Sequence, residues 1–238
     1  TEGFPLCHAQ ASTIIETHPQ TESGMGVCLG EPVDGIRIRV LSFEDTIEQF
    51  DPSIATEVSG TGPGSIGEIS VMGPAVYSCL IGHDEIEFGG PKTTAHDSLD
   101  GTNWHRTGDL GYLDEDGRVW IVGRKAHRVR TKDGSTLHTK QTEEIFNHGL
   151  GIRTALVKGP DNDWPVILVE GDNSPWNEIE KRLKEESKRA CHLLGYDGEF
   201  TFQQYEGVFP VDAGHEAKIE REKLSNWAKQ RLHGNRSN

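Results

Sequence analysis

Three side chains in this sequence have the type and setting for chemistry on a charged, hydroxyl-rich ligand. Asp109 lies in Thr107-Gly108-Asp109. A carboxylate held in a glycine-containing turn can accept hydrogen bonds from vicinal hydroxyls, as acidic residues do for ribose. Arg124 follows the apolar run Val119 to Val122 and Gly123. A guanidinium at a strand end offers a fixed donor fork to phosphate or ribose oxygens. Lys218 closes a glycine-containing loop just ahead of a helical pattern. A cation that reaches away from its domain there can neutralise charge building up in phosphoryl or carboxyl chemistry. Taken singly, each residue also fits an ordinary surface turn or a solvated charge. The histidines show no nucleophile–base or metal spacing, and Cys7-His8 are chain neighbours that do not face each other productively.

The elements that must position these residues divide into two grammars. From Gly30 the pattern is β-like. Ile36-Arg37-Ile38-Arg39-Val40 alternates at period two, Gly67 to Met72 reads as a strand closed by Gly73-Pro74, and residues 42–63 and 82–103 read as polar excursions. In the stretch Trp104 to Arg130, an acidic turn at 107–109 leads to Asp116-Gly117, a hairpin signal, then to a short strand and the basic exit Arg124, Lys125, Arg128 and Arg130. A small β-barrel or distorted sheet is expected for about 25–123. Beyond it the pattern mixes helix and strand. A short helix is expected at Glu143 to Asn147, and paired strands at Thr154 to Val157 and Val166 to Glu170. A long helix follows, capped by Ser174 with Pro175 in its first position, striped by Ile179, Leu183, Ala190 and Leu194, and ended by Gly195. Phe200 to Tyr205 reads as a strand, 206–217 as a loop and Ile219 to Leu232 as a closing helix. The expected class is α+β.

Charge breaks at the same place. Residues 1–123 carry 20 acidic and 5 basic side chains, a balance of −15, whereas 124–238 carry 18 and 19, a balance of +1. The total of −14 argues against nucleic acid or an anionic membrane as the main partner. Mean hydropathy is −0.57, no apolar run approaches the roughly 18 residues of a membrane span, and no basic-then-apolar leader opens the chain. The four cysteines lack metal-site spacing and read as reduced, small core residues, so a cytoplasmic location is expected. Thr1-Glu2-Gly3-Phe4 begins as if in mid-domain, which marks the chain as an expected fragment.

The order and spacing of these signals resemble the C-terminal part of the adenylate-forming enzymes: acyl-CoA synthetases, luciferases and peptide-synthetase adenylation domains. Thr1-Glu2 is similar to the end of that family's aromatic-Gly-x-Thr-Glu motif, and Gly67-Glu68-Ile69 with Gly73-Pro74 to its Gly-Glu-Leu…Gly-Pro motif. Trp104 to Asp109 is similar to its Trp-x-x-Thr-Gly-Asp motif, with the match continuing through Gly123-Arg124, and Pro210 to Arg221 resembles its closing lysine loop. Gly123 to Val129 and His215 to Leu224 look most like the bacterial olefin β-lactone synthetases, which close the adenylate of a 2-alkyl-3-hydroxy fatty acid into a β-lactone.

The resemblance implies ATP and Mg²⁺ as cofactors, a fatty-acid-type substrate, and partner enzymes of the same pathway. It implies that Thr1 contacts the AMP phosphate, Glu2 binds Mg²⁺, Asp109 holds the ribose hydroxyls, and Arg124 contacts the ribose and phosphate side. Lys218 would bridge the carboxylate and α-phosphate as the adenylate forms. It further implies a C-terminal, β-barrel-like part of the large nucleotide-binding domain at 1–123, a hinge at 124–126 and a small α+β lid domain at 127–238. Two departures stand out. Ala126 occupies the hinge position where the family has Asp or Lys, and the following glycine is displaced by one residue at Gly134. Both weaken the expectation of CoA-dependent chemistry. The family's Ser/Thr/Gly-rich phosphate loop and most of its acyl pocket would lie upstream of Thr1, so this stretch is not expected to adenylate alone. The alternatives are a fatty-acyl-CoA ligase and a non-catalytic binding module.

Overall fold

A computed structural model describes residues 5–42, 57–74, 96–97, 104–162, 164–171, 175–212 and 215–234. The chain forms two compact units, one of Thr1–Glu16 with Cys28–Ile121 and one of Thr17–Val27 with Val122–Asn238.

The first half of the chain runs β1 (Cys7–His8), α1 (Ala11–Glu22), β2 (Val27–Pro32), β3 (Arg37–Leu41), β4 (Gly67–Met72), β5 (His96–Asp97), β6 (Trp104–Leu113) and β7 (Val119–Arg124). The sheet order is β1-β2-β7-β6-β4-β3, with β5 added on β6. The pairs β1–β2, β3–β4, β4–β6 and β5–β6 are antiparallel. Its apolar cluster holds Val40, Ile69, Val71 and Val119. Arg39, on the face opposite Val40, is not left in water: it is buried with its guanidinium 4.2 Å from the Trp104 ring centroid. The β6–β7 hairpin is organised by Asp114, whose Oδ1 accepts from the Asp116 and Arg118 N–H groups and whose Oδ2 accepts from Arg118 Nε at 2.7 Å and Trp120 Nε1 at 2.9 Å. Burial alone would raise this carboxyl, but the hydrogen bonds from Trp120 and Arg118 hold it below the ordinary value.

The second half continues with β8 (Val129–Arg130), β9 (Thr136–Leu137), α2 (Thr139–Leu150), β10 (Thr154–Lys158), β11 (Pro165–Glu170), α3 (Trp176–Leu194), β12 (Thr201–Tyr205), β13 (Val211–Asp212), β14 (His215–Ile219) and α4 (Arg221–Gly234). A three-stranded sheet, β10-β11-β12, is antiparallel between its first two strands and parallel between its last two. Period-two alternation splits its side chains between two cores. Leu156, Ile167 and Val169 pack with Ile145 and Phe146 of α2 and Ile179, Leu183 and Ala190 of α3. Ala155, Val157, Val166 and Leu168 pack with Leu224, Ala228 and Leu232 of α4. An antiparallel sheet in one unit and a helix-covered sheet in the other make the expected α+β fold.

Several local expectations are corrected. Ahead of the β-like pattern, α1 is a helix whose Ile14 and Ile15 are exposed and whose interior contains Pro19. α2 starts at Thr139 and runs well past the short helix read at 143–147. Pro175 is the N-cap of α3, not its first helical residue, while Ser174 lies outside the described residues. Gly195 does end α3, at φ 61. Cys7, Cys28 and Cys191 are free, half-buried thiols, and Cys7 and Cys191 pack against the edges of the two units' cores, as expected of reduced core residues. Most of the two polar excursions lies outside the described residues.

Candidate functional site

Asp109 sits within a strand, not in the turn expected from Thr-Gly-Asp. Glu68 pairs with Leu110 and Ser70 with Arg106, so residues 107–109 together face the single residue Ile69. This is a bulge that needs a left-handed residue, and Gly108 supplies it at φ 73. Thr107 repairs the interrupted ladder. Its Oγ1 donates to the Ile69 carbonyl at 3.0 Å and accepts from the Asp109 N–H at 3.1 Å. The bulge is flanked by the buried Arg106–Glu68 ion pair and the fully buried Leu110. A half-buried carboxylate on so rigid a frame is a preorganised acceptor for hydroxyl donors.

The second unit gathers the cations. Arg124 is exposed at the end of β7. Gly123 before it has φ 148, and a Cβ there would lie 2.5 Å from Thr139 Oγ1, so only glycine lets the strand exit close against the start of α2. A 3₁₀ turn, Lys125–His127, follows, and Lys158 Nζ donates to the Ala126 carbonyl at 2.9 Å.

Lys218 lies on β14, the second strand of a hairpin, and is exposed; loop and helix were expected there. Three contacts immediately after it fix the strand. Ile219 packs on the α4 side of the sheet, the Glu220 N–H donates to the Pro210 carbonyl at 2.9 Å, and Arg221 forms a two-pronged pair with Glu143 of α2. Glu143 Oε1 also accepts from the Leu156 N–H at 2.8 Å, so α2, β10 and α4 meet at one carboxylate.

A cavity of about 270 Å³ opens beside this lock, lined by Ala126, His127, Lys158, Arg221, Glu222 and Lys229 among others. Burial first, and then the charges of Arg221, Arg124, Lys158 and Lys218, push the His127 imidazole down to about 4. His127 is therefore neutral near pH 7, within the field of four cations. Burial, followed by Arg128 and Lys229, likewise lowers Lys158.

Arg124 and Lys218 thus lie on one unit, where the charges of both lower His127, and Asp109 lies on the other; Thr1 and Glu2 lie outside the described residues. His127, Lys158 and Arg221 were missed as parts of this cluster. His127 and Arg221 fall inside the stretches Gly123 to Val129 and Pro210 to Arg221, whereas Lys158 left no local signal.

No protein-family model matches the chain. Among curated proteins it is similar to the olefin β-lactone synthetase of Xanthomonas campestris pv. campestris, 35% identical over 240 residues, covering 97% of this chain and 41% of that protein. The olefin β-lactone synthetase of Stenotrophomonas maltophilia is 33% identical, with 98% and 41% covered. The chain therefore spans about two fifths of the length of these relatives, at their C-terminal side. Among solved structures, the anthranilate CoA ligase in complex with anthranoyl-AMP superposes with a TM-score of 0.58 at 17% identity, over 87% of this chain and 36% of that one. The chain belongs with the adenylate-forming enzymes.

Proposed function

We propose that this chain is the C-terminal part of an ATP-dependent enzyme that activates a long-chain 3-hydroxy fatty acid as acyl-AMP, releases pyrophosphate and closes the adenylate into a β-lactone. The observation that carries the reading is the match to the β-lactone synthetases over 97% of the chain, and the exposed Lys218 on its hairpin strand is the feature that suits the chemistry. In the first step the carboxylate oxygen attacks the α-phosphorus and the bond to pyrophosphate breaks. Such a step is served by positioning and charge neutralisation more than by covalent help. In the second, the β-hydroxyl oxygen attacks the acyl carbonyl, loses its proton and expels AMP.

In this proposal Asp109 accepts from the ribose hydroxyls, Arg124 faces the ribose and phosphate oxygens, and Lys218 bridges carboxylate and α-phosphate. Thr1 contacts the AMP phosphate and Glu2 holds Mg²⁺. Residues 124–126 act as the hinge of a lid at 127–238 that brings Lys218 into place. The likeness to a CoA ligase fold supports a second outcome, thioester formation. Product analysis separates the two. Protein from the complete reading frame, given ATP and a 3-hydroxy fatty acid without CoA, is expected to yield β-lactone and AMP. Product that forms only when CoA is added would replace the lactone reading with the ligase one.

A further inference from the structure

Among the described residues, three side chains that play no part in the adenylation cluster converge on the second unit. His18 and Glu22 are one helical turn apart at the end of α1, and His148 lies in the last turn of α2. His18 Nε2 is 3.2 Å from Glu22 Oε1, and His148 Nδ1 is 3.5 Å from the same oxygen. One ligand atom from each residue lies within 4.8 Å of the others. The two imidazoles meet edge to face with centroids 4.9 Å apart.

Those separations have a chemical meaning. A tetrahedral ion with bonds of about 2.0–2.1 Å to nitrogen and oxygen sets its ligand atoms roughly 3.3–3.4 Å apart. The two measured nitrogen–oxygen edges bracket that value, and the nitrogen–nitrogen edge closes by small rotations of side chains exposed by 52% at His18 and 32% at His148.

The protonation pattern fits as well. Glu144, one turn before His148 on α2, places Oε2 3.1 Å from His148 Nε2. An Nε2–H donated to that carboxylate leaves the Nδ1 lone pair directed at Glu22, the carboxylate–histidine–metal arrangement that fixes a ligating tautomer. The Glu22 carboxylate gives the donor set one negative charge for a dication, and Glu144, shared with Lys140 at 3.8 Å, adds an outer carboxylate. Two nitrogen donors favour a zinc-class transition metal over Mg²⁺ or Ca²⁺.

We propose that His18, Glu22 and His148 form a zinc-class metal site, with Glu144 as outer partner and water in the fourth position. Bound metal would clip the last turn of α1 to α2, replacing contacts that otherwise depend on partly exposed His–Glu pairs.

Calorimetric titration of the metal-free 238-residue chain tests this. Its four cysteines are alkylated first, so that thiolates cannot take the ion, and the pH is held at about 7.5, where ordinary imidazoles are neutral. ZnSO₄ is expected to bind one ion per chain and to raise the melting temperature, with MgCl₂ giving no heat. His18→Ala and His148→Ala should each weaken binding by more than the roughly 10–100-fold that loss of an outer partner costs, and Glu144→Gln by about that smaller factor. Far-UV circular dichroism checks that the variants remain folded. Zinc binding unchanged in both histidine variants, or no binding to the parent chain at about 1 mM zinc, where little more than 4 kcal/mol would suffice, would overturn the proposal.

Discussion

The contact between Glu143 and Arg221 sets how firmly Lys218 is held, and its strength can be worked from the structure. The two side chains are 4% and 13% exposed. The carboxylate receives both arms of the guanidinium, one of them at 2.9 Å, and the Leu156 N–H at 2.8 Å. Glu143→Gln keeps the shape and one acceptor but removes the charge, leaving Arg221 beside the other cations that surround His127. Removing one partner of a buried pair costs about 3–5 kcal/mol. The remaining amide oxygen and the residual exposure of Arg221 lower this to about 2–4 kcal/mol. In a unit of about 130 residues each kcal/mol shifts the melting temperature by roughly 3–5 °C, so a drop of about 10 °C is expected.

The assay is urea and thermal unfolding of the chain, with Glu143→Gln/Arg221→Met as the second variant. Because an apolar side chain at 221 removes the unpaired charge while the amide at 143 still accepts from the Leu156 N–H, the double variant should recover most of the loss. In the complete enzyme, Glu143→Gln should lower kcat for adenylation more than it raises KM for ATP, since the strand carrying Lys218 loses its anchor. A destabilisation under about 0.5 kcal/mol, the range of an ordinary surface change, would refute the reasoning. So would a double variant no more stable than Glu143→Gln alone.

Two further expectations concern other parts of the molecule. Thr107→Val removes both hydrogen bonds that close the Asp109 bulge, and should cost about 1–3 kcal/mol while weakening nucleotide binding; Thr107→Ser should preserve both, and equal nucleotide titrations for the two variants would contradict the role given to the bulge. Burial first, with Arg221 foremost among the charges at His127 and Arg128 at His138, holds both imidazoles at about 4. The unfolded imidazole titrates at about 6.5, so the unfolded chain takes up these protons first, and stability should fall as pH drops from about 6.5 to 4. The double variant His127→Gln/His138→Gln should flatten that slope, and an unchanged slope in unfolding free energy would show that neither group is held neutral.

What the sequence made legible was what depends on local pattern. Thr154 to Val157 and Val166 to Glu170 were legible as paired strands, and Gly195 as the end of α3. What stayed hidden depends on distant partners. Thr-Gly-Asp reads as a turn until Ile69 is found opposite it, because a bulge is defined by the strand it faces. The α1 helix escaped because its apolar residues Ile14 and Ile15 are 56% and 74% exposed and Pro19 interrupts its pattern. Without that helix, the one-turn spacing of His18 and Glu22 carried no signal, and nothing local tied either to His148. Lys218 was recognisable by its setting, but its strand was not, since His-Glu-Ala-Lys-Ile lacks the β-branched, apolar alternation of an ordinary strand.

The central claim is that Lys218 supplies the charge for adenylate formation. Fatty-acid-dependent exchange of labelled pyrophosphate into ATP, measured on the complete protein and its Lys218→Ala variant, tests it most directly. The account expects exchange in the parent protein and its loss in a variant that still folds and still binds ATP; exchange at the parent rate in Lys218→Ala would contradict it.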